Sequence, residues 1–250
     1  MLQFADTPSA IRARAVRNKV LQSLSPQQFE LLRGHLTSVT FKKNETIHQP
    51  LSPAKAIYFI ESGLISRTVQ TRSDPPLEIA MEGNSGILGL CLLLGQSTAL
   101  SQTITIVSAS GLKISSDVLQ GLLATLPSLR EALMRHMHFL AVQTAAISLC
   151  NTRHLIDGRV PRWLAMASDC LGSDTIPVTH DLIAMLLGVR RPGVSEVLQA
   201  LERNGTIEKA RGAIKIKDPS RLLQQSCGCH RMVGERNFGP RAPIHSHLLP

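Results

Sequence analysis

Two clusters in this 250-residue chain have the residue types and spacing to do chemistry. The first is Arg190-Arg191-Pro192-Gly193-Val194-Ser195-Glu196-Val197. Arginine donors in the first turn of a helix can pair with guanine O6 and N7, and Ser or Glu can contact other base edges. Arg190, Arg191, Ser195 and Glu196 are therefore the candidate base-reading residues. Thr179, Arg203, Lys209, Arg211, Lys215 and Lys217 surround them in sequence as candidate phosphate contacts, which give position and salt-dependent affinity rather than specificity. From Gly188 to Arg221 there are eight basic and four acidic residues, an excess of +4 in 34 positions. A charge run alone describes a solvated face; its coincidence with a helix opening is what points to an anionic partner.

The second cluster is Cys227-Gly228-Cys229-His230, three potential metal ligands in four residues. A tetrahedral zinc site needs four, and no partner pair is legible elsewhere, so no metal is assigned. A redox-reactive thiol, activated by His230 and Arg231, is the alternative if the segment is ordered, and an inert tail is the third reading. His136 and His138 could suggest haem, but histidines on a helix face are usually seam or surface residues, and no cofactor is expected. The chain has no Gly-rich phosphate loop, no Gly-x-Ser-x-Gly elbow and no His-Glu-x-x-His, so an enzyme has no support.

The surroundings of these clusters bound the class. Lys and Arg number 27 against 18 Asp and Glu, a net +9, while 43% of residues are hydrophobic, enough for a real core. The longest apolar stretch, Ile87 to Leu94, is far short of a bilayer span, and no apolar run follows the basic N-terminus, so a cytoplasmic protein without membrane contact is expected. Five scattered cysteines fit reduced thiols better than a disulfide framework.

Hydrophobic period divides the chain. Residues 1–36 read as helical, with Ser25-Pro26 opening a second short helix. From Val39 to about Ser115, short runs rich in Val, Ile, Thr and Tyr alternate with turn residues, as in a compact β-roll or sandwich. Ser128 to Cys150 lacks Gly and Pro and reads as one long helix. Leu133, Leu140 and Ile147 repeat every seven residues, interleaved with Leu129, His136 and Gln143. That seam either packs on its own domain or forms a parallel two-stranded dimer, with His136 and Gln143 setting register. Beyond it, Thr179 caps a helix that Gly188 ends, a second helix runs from Arg191 to Arg203, and Ile207–Ala210 with Ala213–Lys217 flank Arg211-Gly212 as a small basic hairpin. Two helices joined by a glycine turn make a helix-turn-helix, and the hairpin a wing.

The order of roll, long helix and winged helix-turn-helix, with Ile57-Tyr58-Phe59-Ile60-Glu61-Ser62-Gly63 in the roll and Leu182–Arg191 in the C-terminal unit, resembles the Crp/Fnr family of bacterial transcription regulators over residues 15–225. With the sequence reading it implies an α+β fold: a sensory β-roll domain, 1–127; a dimerisation helix, 128–150; and a DNA-binding winged helix, 151–225; residues 226–250, beyond the resemblance, read as a flexible tail. It also implies a homodimer on a near-palindromic double-stranded operator, and contact with RNA polymerase if the protein activates. A cyclic-nucleotide-like module acting only through protein contacts, or a redox- or metal-responsive regulator using Cys227 and Cys229, are the alternatives.

Departures limit the transfer. Where cyclic-AMP-binding members have a Gly-Glu pair and an Arg-Ser pair, this chain reads Gly89-Leu90 and Gln96-Ser97-Thr98, a degenerate pocket lacking both the carboxylate and the guanidinium. Losing a charge-assisted bond of ~1.5–3 kcal/mol argues against control by cyclic AMP. No cysteine precedes Cys91, which excludes an N-terminal iron–sulfur cluster of the family's kind. The family's Glu, Ser, Arg reading pattern is here Pro192, Ser195, Glu196, so its operator sequence does not transfer.

Overall fold

The computed structural model describes residues 16–234. The readings of residues 1–15 and 235–250 lie outside the described residues. Two short helices, α1 (Lys19–Gln22) and α2 (Pro26–Arg33), begin this region. The expected start of α2 is a capping box: Ser25 Oγ accepts from Gln28 N at 3.3 Å and Gln28 Oε1 accepts from Ser25 N at 2.9 Å. Asn18 caps α1 and, through Nδ2, donates to Ile60 O at 2.8 Å and Gly86 O at 3.0 Å, pinning this entry to the roll.

The roll comprises β1 (Thr37–Phe41), β2 (Thr46–His48), β3 (Ala56–Val69), β4 (Leu77–Glu82), β5 (Ile87–Leu88) and β6 (Gln102–Ser115), with a 3-10 turn at Leu90–Leu94. The sheet runs β1-β6-β3-β4, with β2 paired to β6 and β5 to β3, every pair antiparallel. The runs at Ile57–Ile60 and Leu64–Val69, which read as separate strands around Gly63, are one bent strand. Register shifts between Ile60 and Ile65 insert extra residues there, and Gly63 has φ 95°. A Cβ at Gly63 would stand 2.5 Å from Ala109 Cα, so glycine alone lets β3 bend against β6 without breaking the ladder.

Helix α3 (Ser116–Thr125) buries Leu119 and Leu123 where the sequence pattern alone specifies no element. Helix α4 (Pro127–Arg153) is the long helix, three residues longer at its C-terminus than its pattern suggests. Its heptad seam faces the protein's own interior, which corrects the dimer reading of that seam. Leu129, Leu133, His136, Gln143 and Ile147 are buried within the chain, and Leu140 packs half-buried beside them. Gln143 bonds both backbone groups of Met81, donating to its O at 3.1 Å and accepting from its N at 2.7 Å, and so acts as an extra strand partner for β4.

The C-terminal unit contains α5 (Ile156–Leu171), β7 (Thr175–Ile176), α6 (His180–Leu187), α7 (Arg191–Arg203), β8 (Ile207–Ala210), β9 (Ala213–Ile216), α8 (Pro219–Gln225) and α9 (Cys229–Gly234). One core runs through both units, joining Leu64, Met81 and Ile106 of the roll to Trp163, Ile183 and Leu198. Two buried carboxylates of β4 tie the roll to its neighbours, Glu78 to α5 and Glu82 to α4. Glu78 accepts from Trp163 Nε1 at 2.9 Å and Ser66 Oγ at 2.7 Å; burial pushes its pKa up to about 7. Glu82 is equally buried, yet the Arg67 guanidinium and the His136 ring outweigh that burial and hold it at about 2. Residues 226–234, expected in a flexible tail, are instead packed: α9 lies against α4 and α5, and Cys229 and Val233 are buried. No helix among the described residues is long and apolar enough to cross a membrane.

Candidate nucleic-acid interface

The helix-turn-helix is assembled around α6 and α7. Thr179 Oγ1 accepts from Leu182 N at 3.3 Å and starts α6. Gly188, at φ 63°, ends it by donating to Met185 O at 3.1 Å, while Val189 N reaches Ala184 O at 3.0 Å. The chain then turns into α7 at Arg190, whose side chain makes no cap bond, and Pro192 occupies the opening turn. Val194, Leu198 and Leu201 are 0–3% exposed and hold α7 against the core, as their spacing predicts; Val197 is partly buried there too. The opposite side of α7 is left to solvent.

The candidate base-readers divide between two sides of the helix. Arg190 is exposed at its entrance. Arg191 Nε lies 3.2 Å from Asp181 Oδ1, an exposed ion pair that holds the guanidinium at the mouth of the two-helix motif. Ser195 Oγ shares a 2.9 Å hydrogen bond with His180 Nδ1, so it is braced by α6 and only half-exposed. Glu196 points away from these three, into a groove it lines with Asp157, Gly158 and Ala200. His180 and Asp181 were not singled out by sequence. Their signal was their place directly after the Thr179 cap, where α6 side chains meet the flank of α7.

The wing is as read, with β8 and β9 in antiparallel register from Ile207–Ile216 to Ala210–Ala213, and β7 adds a third strand through Thr175–Lys215 and Ile176–Ile214. Ile214 and Ile216 face the core while Lys215 and Lys217 face solvent. Lys209 Nζ pairs with Glu202 at 2.7 Å and Lys217 Nζ with Glu208 at 3.3 Å. Among the described residues, Arg190, Arg203, Arg211 and Lys215 are exposed without an acidic partner, so together with Arg191 they form the available basic surface. Ion pairs at the surface are worth only about 0–1 kcal/mol, so neither the half-buried Lys209 nor the exposed Lys217 is firmly held by its glutamate.

The degenerate pocket of the roll has a different geometry. Leu90 is 6% exposed and belongs to the hydrophobic cluster with Ile57, Phe59 and Leu92. Gly89, at φ 83°, lies so close to β3 that a Cβ would stand 2.3 Å from Ala56 O. Gln96 and Ser97 are exposed, and Thr98 is bridged to Pro53. A half-buried guanidinium nearby comes from Arg67, and it is already committed to Glu82 and, at 2.8 Å, to Ile87 O.

Comparison with known proteins places both halves. Residues 158–225 match the Crp-like helix-turn-helix domain. A CRP-like cAMP-activated global transcriptional regulator of Mycobacterium tuberculosis is 23% identical over 219 residues, covering 84% of this chain and 97% of that protein. Among solved structures, FixK2 from Bradyrhizobium japonicum has a TM-score of 0.67 at 16% identity, covering 77% of this chain and 98% of its own. The c-di-GMP responsive global regulator CLP of Xanthomonas campestris has 0.64 at 19% identity, covering 77% and 99%. Residues 158–225 are thus a Crp-like helix-turn-helix domain, and over most of its length the chain is similar to Crp/Fnr-type transcription regulators and shares their fold.

Proposed function

We propose that the protein is a homodimeric, sequence-specific DNA-binding regulator that places α7 in the major groove of each half of a near-palindromic operator. The observation that carries this is the pairing of an exposed, arginine-led helix entrance with an exposed basic wing, both fixed from behind by Val194, Leu198, Leu201, Ile214 and Ile216. Arg190 and Arg191 are the base-reading donors, with Ser195 held ready by His180. Arg203, Arg211 and Lys215 supply phosphate contacts, joined by Lys209 and Lys217 when they leave their glutamates. If the protein activates, RNA polymerase is the further partner.

The dimer uses the outer face of α4, since the heptad seam is occupied by the roll. Met134 and Leu149 are 57% and 42% exposed on that face, with the small residues Ala141 and Ala145 between them. Two such stripes pack closely about a two-fold axis. Control by cyclic AMP is not part of the proposal: Leu90 fills the core where a ribose-binding carboxylate would stand, and Arg67 is neutralised by Glu82. Selection of bound sequences from a random DNA pool, with sedimentation of the Ala145→Glu variant, tests both parts. A symmetric consensus and a monomeric variant are expected. A pool without enrichment overturns DNA reading; a variant that stays dimeric at micromolar concentration overturns the outer-face contact.

A further inference from the structure

The tail cysteines do not stand alone. Cys150 and His154, one helical turn apart at the C-terminal end of α4, meet Cys227 from the turn before α9 and Cys229 from the first position of α9, and the four ligand atoms all lie within 4.8 Å of one another. Cys150 Sγ is 3.4 Å from Cys227 Sγ, and Cys229 Sγ is 3.5 Å from His154 Nδ1. A tetrahedral ion with Zn–S bonds of about 2.3 Å and Zn–N bonds of 2.0–2.1 Å requires ligand–ligand separations of about 3.5–3.8 Å. The Cys150–Cys227 and Cys229–His154 pairs already stand close to that separation, the remaining pairs lie within 4.8 Å, and the two sulfurs are too far apart for a sulfur–sulfur bond of about 2.05 Å. His230, the third ligand nominated by sequence, is turned away and pairs with Asp169 at 3.0 Å.

We propose that Cys150, His154, Cys227 and Cys229 form a closed, tetrahedral Cys3His site for a zinc-type divalent ion that staples the C-terminal segment across the junction between α4 and α5. Its donor set is soft and complete, with no position left for water or substrate, which is the pattern of a structural rather than a catalytic site. Three thiolates and a neutral imidazole around a dication carry a net charge of −1, and the surroundings answer it. Arg162 is 1% exposed beneath the cluster, and its Nε has no hydrogen-bond partner in the protein. Arg159, on the same helix, is also buried. The thiol protons leave to solvent as the ion binds.

The backbone also holds the turn in place. Cys227 N donates to Gly158 O at 3.1 Å, and a Cβ on Gly158 would already be in contact with Cys227 at 3.4 Å. The three segments brought together are the end of the long helix, the start of α5 and the exit of the winged helix. Binding an ion there fixes the angle at which the reading head leaves α4. The metal site stands on its own geometry; only its effect on operator affinity rests on the DNA-binding reading.

The full chain, reduced and stripped of metal, should bind one equivalent of Zn2+ and raise its melting temperature on doing so. Co2+ in its place should give the thiolate-to-cobalt charge-transfer band and the intense visible bands of a tetrahedral ion, which Zn2+ then bleaches. Cys229→Ser and His154→Ala should each weaken binding at least 100-fold, while His230→Ala should leave it unchanged. Failure of the wild-type chain to take up either ion overturns the site, and this arm holds even if a cysteine variant does not fold. Recovery of iron with acid-labile sulfide, of a Cys150–Cys227 disulfide in place of metal, or loss of binding in His230→Ala overturns it as well. Metal uptake without any change in operator affinity would leave the site standing and overturn only the link to the reading head.

Discussion

The junction of the roll with α4 and α5 uses charge in the opposite way to the face of the winged helix. At the junction Glu78, Glu82 and His136 are 3%, 2% and 0% exposed, and each is tied to a named partner on another element. On the winged helix Arg190, Arg203, Arg211 and Lys215 are exposed and Arg191 has only an exposed pair with Asp181. Buried charges are costly to leave unpaired, so the junction spends them on a single arrangement of strand and helix. Surface charges cost little to hold and little to release, so they remain free for an anionic partner.

The largest test of this contrast is Arg67→Met, which strands Glu82 beside His136. A loss of about 3–5 kcal/mol in urea denaturation at pH 7 is expected. A loss under about 1 kcal/mol would place the pair in solvent and dissolve the contrast.

Next come the two carboxylates of β4, which titrate in opposite senses from an ordinary value of 4.5. Glu82, held at about 2, contributes stability that is present above 4.5 and is lost as pH falls toward 2. Glu78, raised to about 7, is favoured in its protonated form; its contribution is complete below 4.5 and is lost as pH rises through 7. Stability measured against pH should therefore fall on both sides. Glu78→Gln should flatten only the limb between 4.5 and 7, and Glu82→Gln only the acid limb. Persistence of the upper limb in Glu78→Gln would show that another group carries it.

The winged helix should behave in the reverse manner, with small effects on folding and larger ones on DNA. Arg191→Ala should change stability by no more than about 0.5 kcal/mol. It should cost ~1–3 kcal/mol at one base pair of each half-site and relax the preference there. The smallest effect is expected for Lys215→Ala, which should weaken all sequences alike and lower the slope of log affinity against log salt by about one. If Lys215→Ala alters sequence preference and Arg191→Ala does not, the wing is the reader.

Legibility in the sequence tracked how local each signal was. The bounds of α7, the wing strands, the Thr179 cap and the Gly188 stop were readable because each depends on residues within one or two turns of itself. Strand β3 reads as two in sequence because a glycine inside a bulge resembles a turn until the partner strand is known. The heptad on α4 was legible as an apolar seam. A repeat records that a face is buried, however, and not what buries it, and here β4 and the roll core do so.

The sequence by itself determined the order of elements, the basic helix entrance and the absence of the pocket residues at Leu90 and Gln96–Thr98, because periodicity, capping and motif positions are properties of neighbouring residues. Only the tertiary structure decided which charges were spent and which stayed free. It also brought Cys150 and His154 to Cys227 and Cys229 across more than seventy residues. That separation is the physical reason the fourth-ligand problem looked insoluble along the chain: metal ligands need only meet in space, and the meeting is made by the packing of α9 and α5 on the end of α4.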